Sequence, residues 1–180
     1  MAKPLLFSVD AETNGLWGDP FALAAMVVSP GDGKIVDSFL VRCPISGPAD
    51  LWVTDNVLPA ITSVEETHKT LDSMLAAFAA FYLEYRERCE VIAHVAFPVE
   101  TSLFHTLHKL GHIGDWEAPF PLLDTSTLIH ARGENAISAE EYLASRNLAV
   151  NTAVFGGGAH NPMYDCAVAA AVYRDIMSKP

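Results

Sequence analysis

Asp10 and Glu12 close an apolar run, Leu5-Leu6-Phe7-Ser8-Val9-Asp10-Ala11-Glu12, and Thr13-Asn14-Gly15 follows. Residues two apart on a strand project to the same face, so both carboxylates can reach one point at a strand end. Two acids brought together at an apolar boundary resist ionising side by side, because each raises the cost of charging the other. A divalent cation removes that cost. Metal binding is therefore the chemistry this pair suits, and a strand end with solvated acids is the plainer alternative.

Toward the other end of the chain, His160-Asn161-Pro162-Met163-Tyr164-Asp165 precedes the helical run Cys166-Ala167-Val168-Ala169-Ala170-Ala171-Val172-Tyr173. Proline suits the first turn of a helix. Pro162 therefore puts His160 in the preceding loop and Asp165 in the opening turns, where the helix dipole favours a carboxylate. Gly156-Gly157-Gly158, just ahead of His160, permits backbone angles that would let the loop swing the histidine inward as substrate arrives. A plain flexible connection is the alternative.

Together these residues resemble the DEDDh family of 3′-to-5′ exonucleases, the group of ribonuclease T, oligoribonuclease and the polymerase proofreading subunits, over nearly the whole chain. The family's first motif is matched by Asp10, Glu12, Thr13 and Gly15, and its last by His160 and Asp165 at the spacing of the histidine subgroup. The middle motif departs from the pattern. An Asn followed four residues later by Phe-Asp is usual there, whereas this chain has Ala96-Phe97-Pro98-Val99-Glu100, with Glu100 where the Asp would stand.

The resemblance implies a ribonuclease H-like α/β fold, a mixed five-stranded sheet flanked by helices. It also implies a site in which Asp10, Glu12, Glu100 and Asp165 hold two divalent metal ions, Mg²⁺ or Mn²⁺. Such a pair activates water, fixes the scissile phosphate and steadies the leaving 3′ oxygen. His160 would take the proton of the attacking water, since an imidazole of ordinary pKa near ~6.5 is largely unprotonated at neutral pH. The products would be nucleoside 5′-monophosphates. By the same resemblance Thr13, Asn14, Gly15 and Leu16 contact the terminal nucleotide, with Leu16 against its base. Trp17 and Phe97 would extend that platform by stacking, with ordinary packing as the alternative for both. The expected partner is a single-stranded 3′ end, short RNA favoured over DNA, and a homodimer is a further expectation. The extra methylene of Glu100 either sets its helix slightly farther back or alters the metal geometry, which predicts a preference for Mn²⁺ over the more exacting Mg²⁺. Asp124, at the end of Phe120-Pro121-Leu122-Leu123-Asp124, is the alternative middle ligand.

Placing these groups requires a folded scaffold, and 180 residues suit a single domain spanning 1–180. A hydrophobic content of 51% against 18% charged is globular, and no apolar run approaches the length of a membrane span. Met1 to Phe7 lacks the long apolar segment of a signal peptide, so a cytoplasmic protein is expected. Cys43, Cys89 and Cys166 are odd in number and far apart, which suggests reduced packing residues rather than disulfides or a zinc site. The net charge of −11 sits awkwardly with a polyanionic partner, even after two divalent ions bind. Short oligonucleotides are therefore the expected substrate, with Arg42, Lys109, Arg132 and Arg146 as candidates for a local basic rim.

The pattern predicts strands at 5–10, 21–29 and 34–42, the last two joined by the turn Pro30-Gly31-Asp32-Gly33. Leu71, Met74, Leu75, Phe78, Tyr82 and Tyr85 recur at helical spacing between Thr70 and Arg88. A fourth strand is expected at 91–95, then a helix at 98–110 that carries Glu100 and is ended by Gly111. A fifth strand is expected at 120–123. Ser138-Ala139-Glu140-Glu141 reads as a capping box, and Pro162 as the start of the last helix. Two rival readings stay open. His105, His108 and His112 at helical spacing form a candidate zinc face, and the altered middle motif admits a nucleic-acid-binding or regulatory module that has lost its chemistry.

Overall fold

The computed structural model describes residues 4–178; Met1, Ala2 and Lys3 of the amino-terminal reading lie outside them. Five strands form one sheet in the order β3-β2-β1-β4-β5: β1 Leu5–Thr13, β2 Pro20–Val28, β3 Ile35–Arg42, β4 Cys89–Ala93 and β5 Leu122–Asp124. β2 is antiparallel to both β1 and β3, whereas β4 is parallel to both β1 and β5. The mixed five-stranded sheet is the expected one.

β2 is buried along its whole length, which suits its uninterrupted apolar sequence. The β2–β3 turn closes through Ser29 N–H donating to the Lys34 carbonyl, with Gly33 at φ +74° against the Arg174 guanidinium. A side chain on Gly33 would be strained by that angle and would collide with Arg174.

Helices cover both faces. α1 (Leu71–Tyr85) starts where the Thr70 side chain accepts from the Ser73 amide, and its apolar stripe packs on Phe7, Val9 and Ala11. α2 (Val99–Lys109) joins the same face through Leu103, Phe104 and Leu107. α6 (Pro162–Ser178) covers the other face, where Cys166, Ala167 and Ala170 meet Leu6, Ala24, Met26 and Ile92. α3 (Thr125–Ala131) and α4 (Ala139–Ala144) pack on the outer side of α6, and α5 (Thr152–Phe155) is a short turn before it. Ser138 caps α4 as expected, accepting from the Glu141 amide.

Three boundaries differ from the sequence expectation, each for a local reason. β1 runs on to Thr13 because β2 continues to pair with it, Glu12 opposite Ala22, so the two acids lie within a strand rather than beyond its end. β4 occupies 89–93 instead of 91–95, since Val95 takes φ +53° and the Val95 and Ala96 amides donate to the Asp124 carboxylate. β5 begins two residues late, leaving Phe120 almost wholly exposed ahead of it. Among the described residues no helix is long and apolar enough to cross a membrane.

Candidate active site

Alternation along β1 sends Leu6, Ser8, Asp10 and Glu12 toward α6. Small residues on α6 allow a close approach, and the Ser8 hydroxyl donates to the Cys166 carbonyl at 2.8 Å. That bond sets the register between strand and helix, so Asp10 meets the first turns of α6, where Asp165 sits. One carboxylate oxygen each from Asp10, Glu12 and Asp165 lies within 4.8 Å of the others.

Burial is the main cause of a strong electrostatic penalty here. It pushes Asp10 well above the usual carboxylate range, helped by the charges of Asp165, Glu12 and Glu100. Burial and the Asp165 charge push Glu12 up to about 8. Asp165 is raised to about 7 by burial, although the His160 backbone N–H donates to it and pulls the other way. Acids that so resist ionisation fit a divalent cation, with hard oxygen donors of the kind Mg²⁺ and Mn²⁺ take.

Glu100, buried at the start of α2, stands beside this group rather than in it. β4 pairs with β1 only along Leu5–Ser8, and beyond that point the Ala11 N–H is free to donate to Glu100 Oε1, at 3.2 Å. Glu100 is raised to about 8 by burial, against the opposing pull of its hydrogen bonds. Asp124, the alternative ligand, spends both oxygens on backbone. Oδ1 accepts from Val95 and Ser126, and Oδ2 from Ala96. It thereby caps α3 and pins the loop that leads into α2.

His160 precedes α6 at φ +66°, in the left-handed region. Asn161 is buried and caps the helix, its Oδ1 accepting from Met163 N–H while its Nδ2 donates to the Gly156 carbonyl. The glycine run is thus tied to the helix start. Gly156 also accepts from the Ser63 hydroxyl at 3.1 Å.

A cavity of about 470 Å³ opens beside the acids, lined by Ala11, Glu12, Thr13, Gly15, Leu16, Asp50, Trp52, Val53, Val99 and His160. No Lys or Arg occurs among these residues. Of the residues expected at the terminal nucleotide, Thr13, Gly15 and Leu16 line it, and Leu16 is exposed. Asn14 does not: its amide donates to the Pro48 carbonyl and its Oδ1 accepts from Asp50 N–H at 2.7 Å. Trp17 and Phe97 are outside the cavity lining but form an exposed edge-on pair, with ring centroids 5.7 Å apart. At 71% and 67% exposure neither is a core residue. Trp52 and Asp50 were not anticipated. They lie in the long connection between β3 and α1, where the Leu51-Trp52 pair before Val53 was the only available signal; the structure leaves both exposed.

The remaining candidates disperse. α2 ends at Lys109, so His112 leaves the helix and bonds Asp72, while His108 bonds Asp115. The three histidines therefore do not converge, and among the described residues the only metal-competent cluster is Asp10, Glu12 and Asp165. Nor do Arg42, Arg132 and Arg146 form a free basic rim. Arg42 binds the Ile61 and Val64 carbonyls, Arg132 the Ile176 carbonyl, and Arg146 pairs with Glu134 and Asp175.

Solved structures share this fold. Exonuclease X in complex with 5′-overhanging duplex DNA matches at TM-score 0.62 and 21% identity, covering 96% of this chain and 91% of that one. The nuclease domain of 3′hExo, a DEDDh family member bound to rAMP, matches at TM-score 0.67 and 8% identity over 97% and 90%. Exonuclease I matches at TM-score 0.64 and 10% identity, over 98% of this chain but 41% of its own. No family model and no curated protein sequence matches the chain.

Proposed function

We propose that the protein is a metal-dependent 3′-to-5′ exonuclease that releases nucleoside 5′-monophosphates. The observation that carries this reading is the convergence of Asp10, Glu12 and Asp165 within 4.8 Å, in a fold shared with three exonucleases. Asp10, Glu12 and Asp165, with Glu100 beside them, would hold two divalent ions. Bound there, the ions supply the positive charge that neutralises the scissile phosphate and lowers the pKa of water.

The chain's own residues do the rest. His160 borders the cavity and takes the proton of the attacking water. Thr13, Gly15 and Leu16 line the space for the terminal nucleotide, and Asn14 fixes the loop that carries them. Trp17 and Phe97 offer a stacking surface at the rim. A net charge of −11 and a cavity without Lys or Arg support short substrates, with single-stranded RNA ends preferred. Since exonuclease X was solved with a duplex, recessed 3′ ends belong in the same assay.

A second reading, a nucleic-acid-binding or regulatory module with impaired chemistry, is favoured by one observation: Glu100 bonds the Ala11 amide outside the three-acid group. Digestion of 5′-labelled RNA and DNA oligonucleotides with Mn²⁺ or Mg²⁺ separates the two. A ladder shortening from the 3′ end, lost in Asp10→Ala and reduced in His160→Ala, supports the exonuclease. Binding without shortening supports the module.

A further inference from the structure

Resting on the exonuclease reading above, we propose that Trp52 is the positioning residue of His160, holding its imidazole in the orientation from which it accepts a proton. A catalytic histidine is ordinarily oriented by a carboxylate or carbonyl bonded to its second ring nitrogen. His160 has no such partner. Its imidazole makes no hydrogen bond to any described residue, and its ring contact is Trp52, with centroids 5.2 Å apart and planes at 88°. Edge-to-face packing of this kind is directional, because the edge of one ring is drawn to the electron-rich face of the other. The backbone is fixed separately, by the left-handed φ of +66° and by the adjacent Asn161, whose amide donates to the Gly158 carbonyl and whose Oδ1 accepts from Met163 N–H. Trp52 therefore governs the side chain while the helix start governs the main chain.

Trp52 can serve as a fixed support because it is anchored to the acid-bearing strand. Asp50 Oδ1 accepts from the amides of Trp52 and Val53, at 2.8 and 3.3 Å. The Asp50 amide in turn donates to Asn14 Oδ1, two residues beyond Glu12. A hydrogen-bonded path thus runs from Asn14, just past the end of β1, to the Trp52 backbone, and the indole's ring contact continues it to the imidazole. Trp52 is 55% exposed, so its placement is not explained by core packing.

Steady-state kinetics on a short 5′-labelled oligonucleotide with Mn²⁺ test this, using Trp52→Ala, Trp52→Phe, His160→Ala and the Trp52→Ala/His160→Ala double variant. Trp52→Ala is expected to lower kcat about 10- to 100-fold, the scale on which a misplaced base costs rate, with KM little changed. Trp52→Phe recovers most of that loss, and Trp52→Ala adds nothing once His160 is gone. A rise in KM at constant kcat, or the same loss in the His160→Ala background, overturns the proposal and makes Trp52 a substrate contact. If Trp52→Ala does not fold, Trp52→Leu replaces it. The metal-free protein gives an independent readout by NMR. The ring-proton resonances of His160 are expected to carry a ring-current displacement that Trp52→Phe retains in part and Trp52→Ala abolishes. Resonances unmoved by Trp52→Ala contradict the assignment whatever the turnover. A wild-type protein that cleaves no oligonucleotide defeats the exonuclease reading instead, and the NMR result still decides the ring contact.

Discussion

Asp10→Asn is expected to make the metal-free protein more stable at high pH while abolishing its activity. Asp10 lies within 4.8 Å of both Glu12 and Asp165. Two unit charges at that distance repel by about 3 kcal/mol at an effective dielectric near 20. Glu12 and Asp165 have pKa values raised from 4.5 and 3.8 to about 8 and about 7, so the folded state holds protons that the unfolded chain releases. Raised carboxylate pKa values contribute stability that is complete below about pH 4 and is lost as pH rises through about 8. At pH 5 the wild type still keeps protons on the cluster, and the variant gains little. By pH 9 Glu12 and Asp165 are ionised, and replacing Asp10, whose own ionisation is opposed by burial and by their charges, with a neutral group should recover roughly 1–3 kcal/mol after relaxation and solvent screening. In a domain of this size that raises Tm by roughly 3–10 °C. Calorimetry in EDTA at the two pH values measures it. An Asp10→Asn protein no more stable than wild type at pH 9, or one whose gain is the same at pH 5, would refute the electrostatic account of the site.

Three further outcomes follow from the same geometry. Divalent-ion binding near pH 7 should release protons, since Glu12 and Glu100 are raised to about 8; titration calorimetry in buffers of different ionisation enthalpy reads the number, and zero release contradicts it. Glu100→Asp withdraws the carboxylate from the Ala11 amide and should raise Mg²⁺-supported relative to Mn²⁺-supported activity, whereas an unchanged ratio would mean that the longer side chain does not set metal choice. Asp124→Ala leaves the Val95, Ala96 and Ser126 amides without their acceptor and should cost about 2–4 kcal/mol in denaturant unfolding; a loss below about 0.5 kcal/mol would show that this carboxylate does not hold the loop.

The features legible in the sequence were those fixed by local physics. Alternation and the Pro-Gly turn located β1 to β3, the apolar spacing from Leu71 located α1, the Ser138 cap located the start of α4, and Pro162 that of α6. The acids of the first and last motifs were legible because residue type and spacing constrain them together. What escaped depended on contacts between distant segments. Asn14 resembles a substrate contact in the sequence, but its partners lie in the β3–α1 connection, which has no periodic pattern. Asp124 follows an apolar run as Asp10 does, and only the positive φ of Val95 shows why its oxygens turn to backbone. His112 has the spacing of a helical face but lies past the helix end expected at Gly111, and only the structure shows it bonded to Asp72, forty residues away. Trp52 carries no motif, and its significance arises only when His160 is brought beside it from more than a hundred residues away.

The central claim is that the acid cluster and His160 remove nucleotides from a 3′ end with the help of divalent ions. Its most direct test is time-resolved digestion of a short 5′-labelled RNA, with a DNA and a recessed duplex in parallel, in Mn²⁺, Mg²⁺ or EDTA, read on a gel that resolves single nucleotides. The account predicts stepwise shortening from the 3′ end with release of 5′-monophosphates, absent in EDTA and absent in Asp10→Ala. Full-length substrate in every lane with wild-type protein and metal, or cleavage that persists in Asp10→Ala, would contradict it.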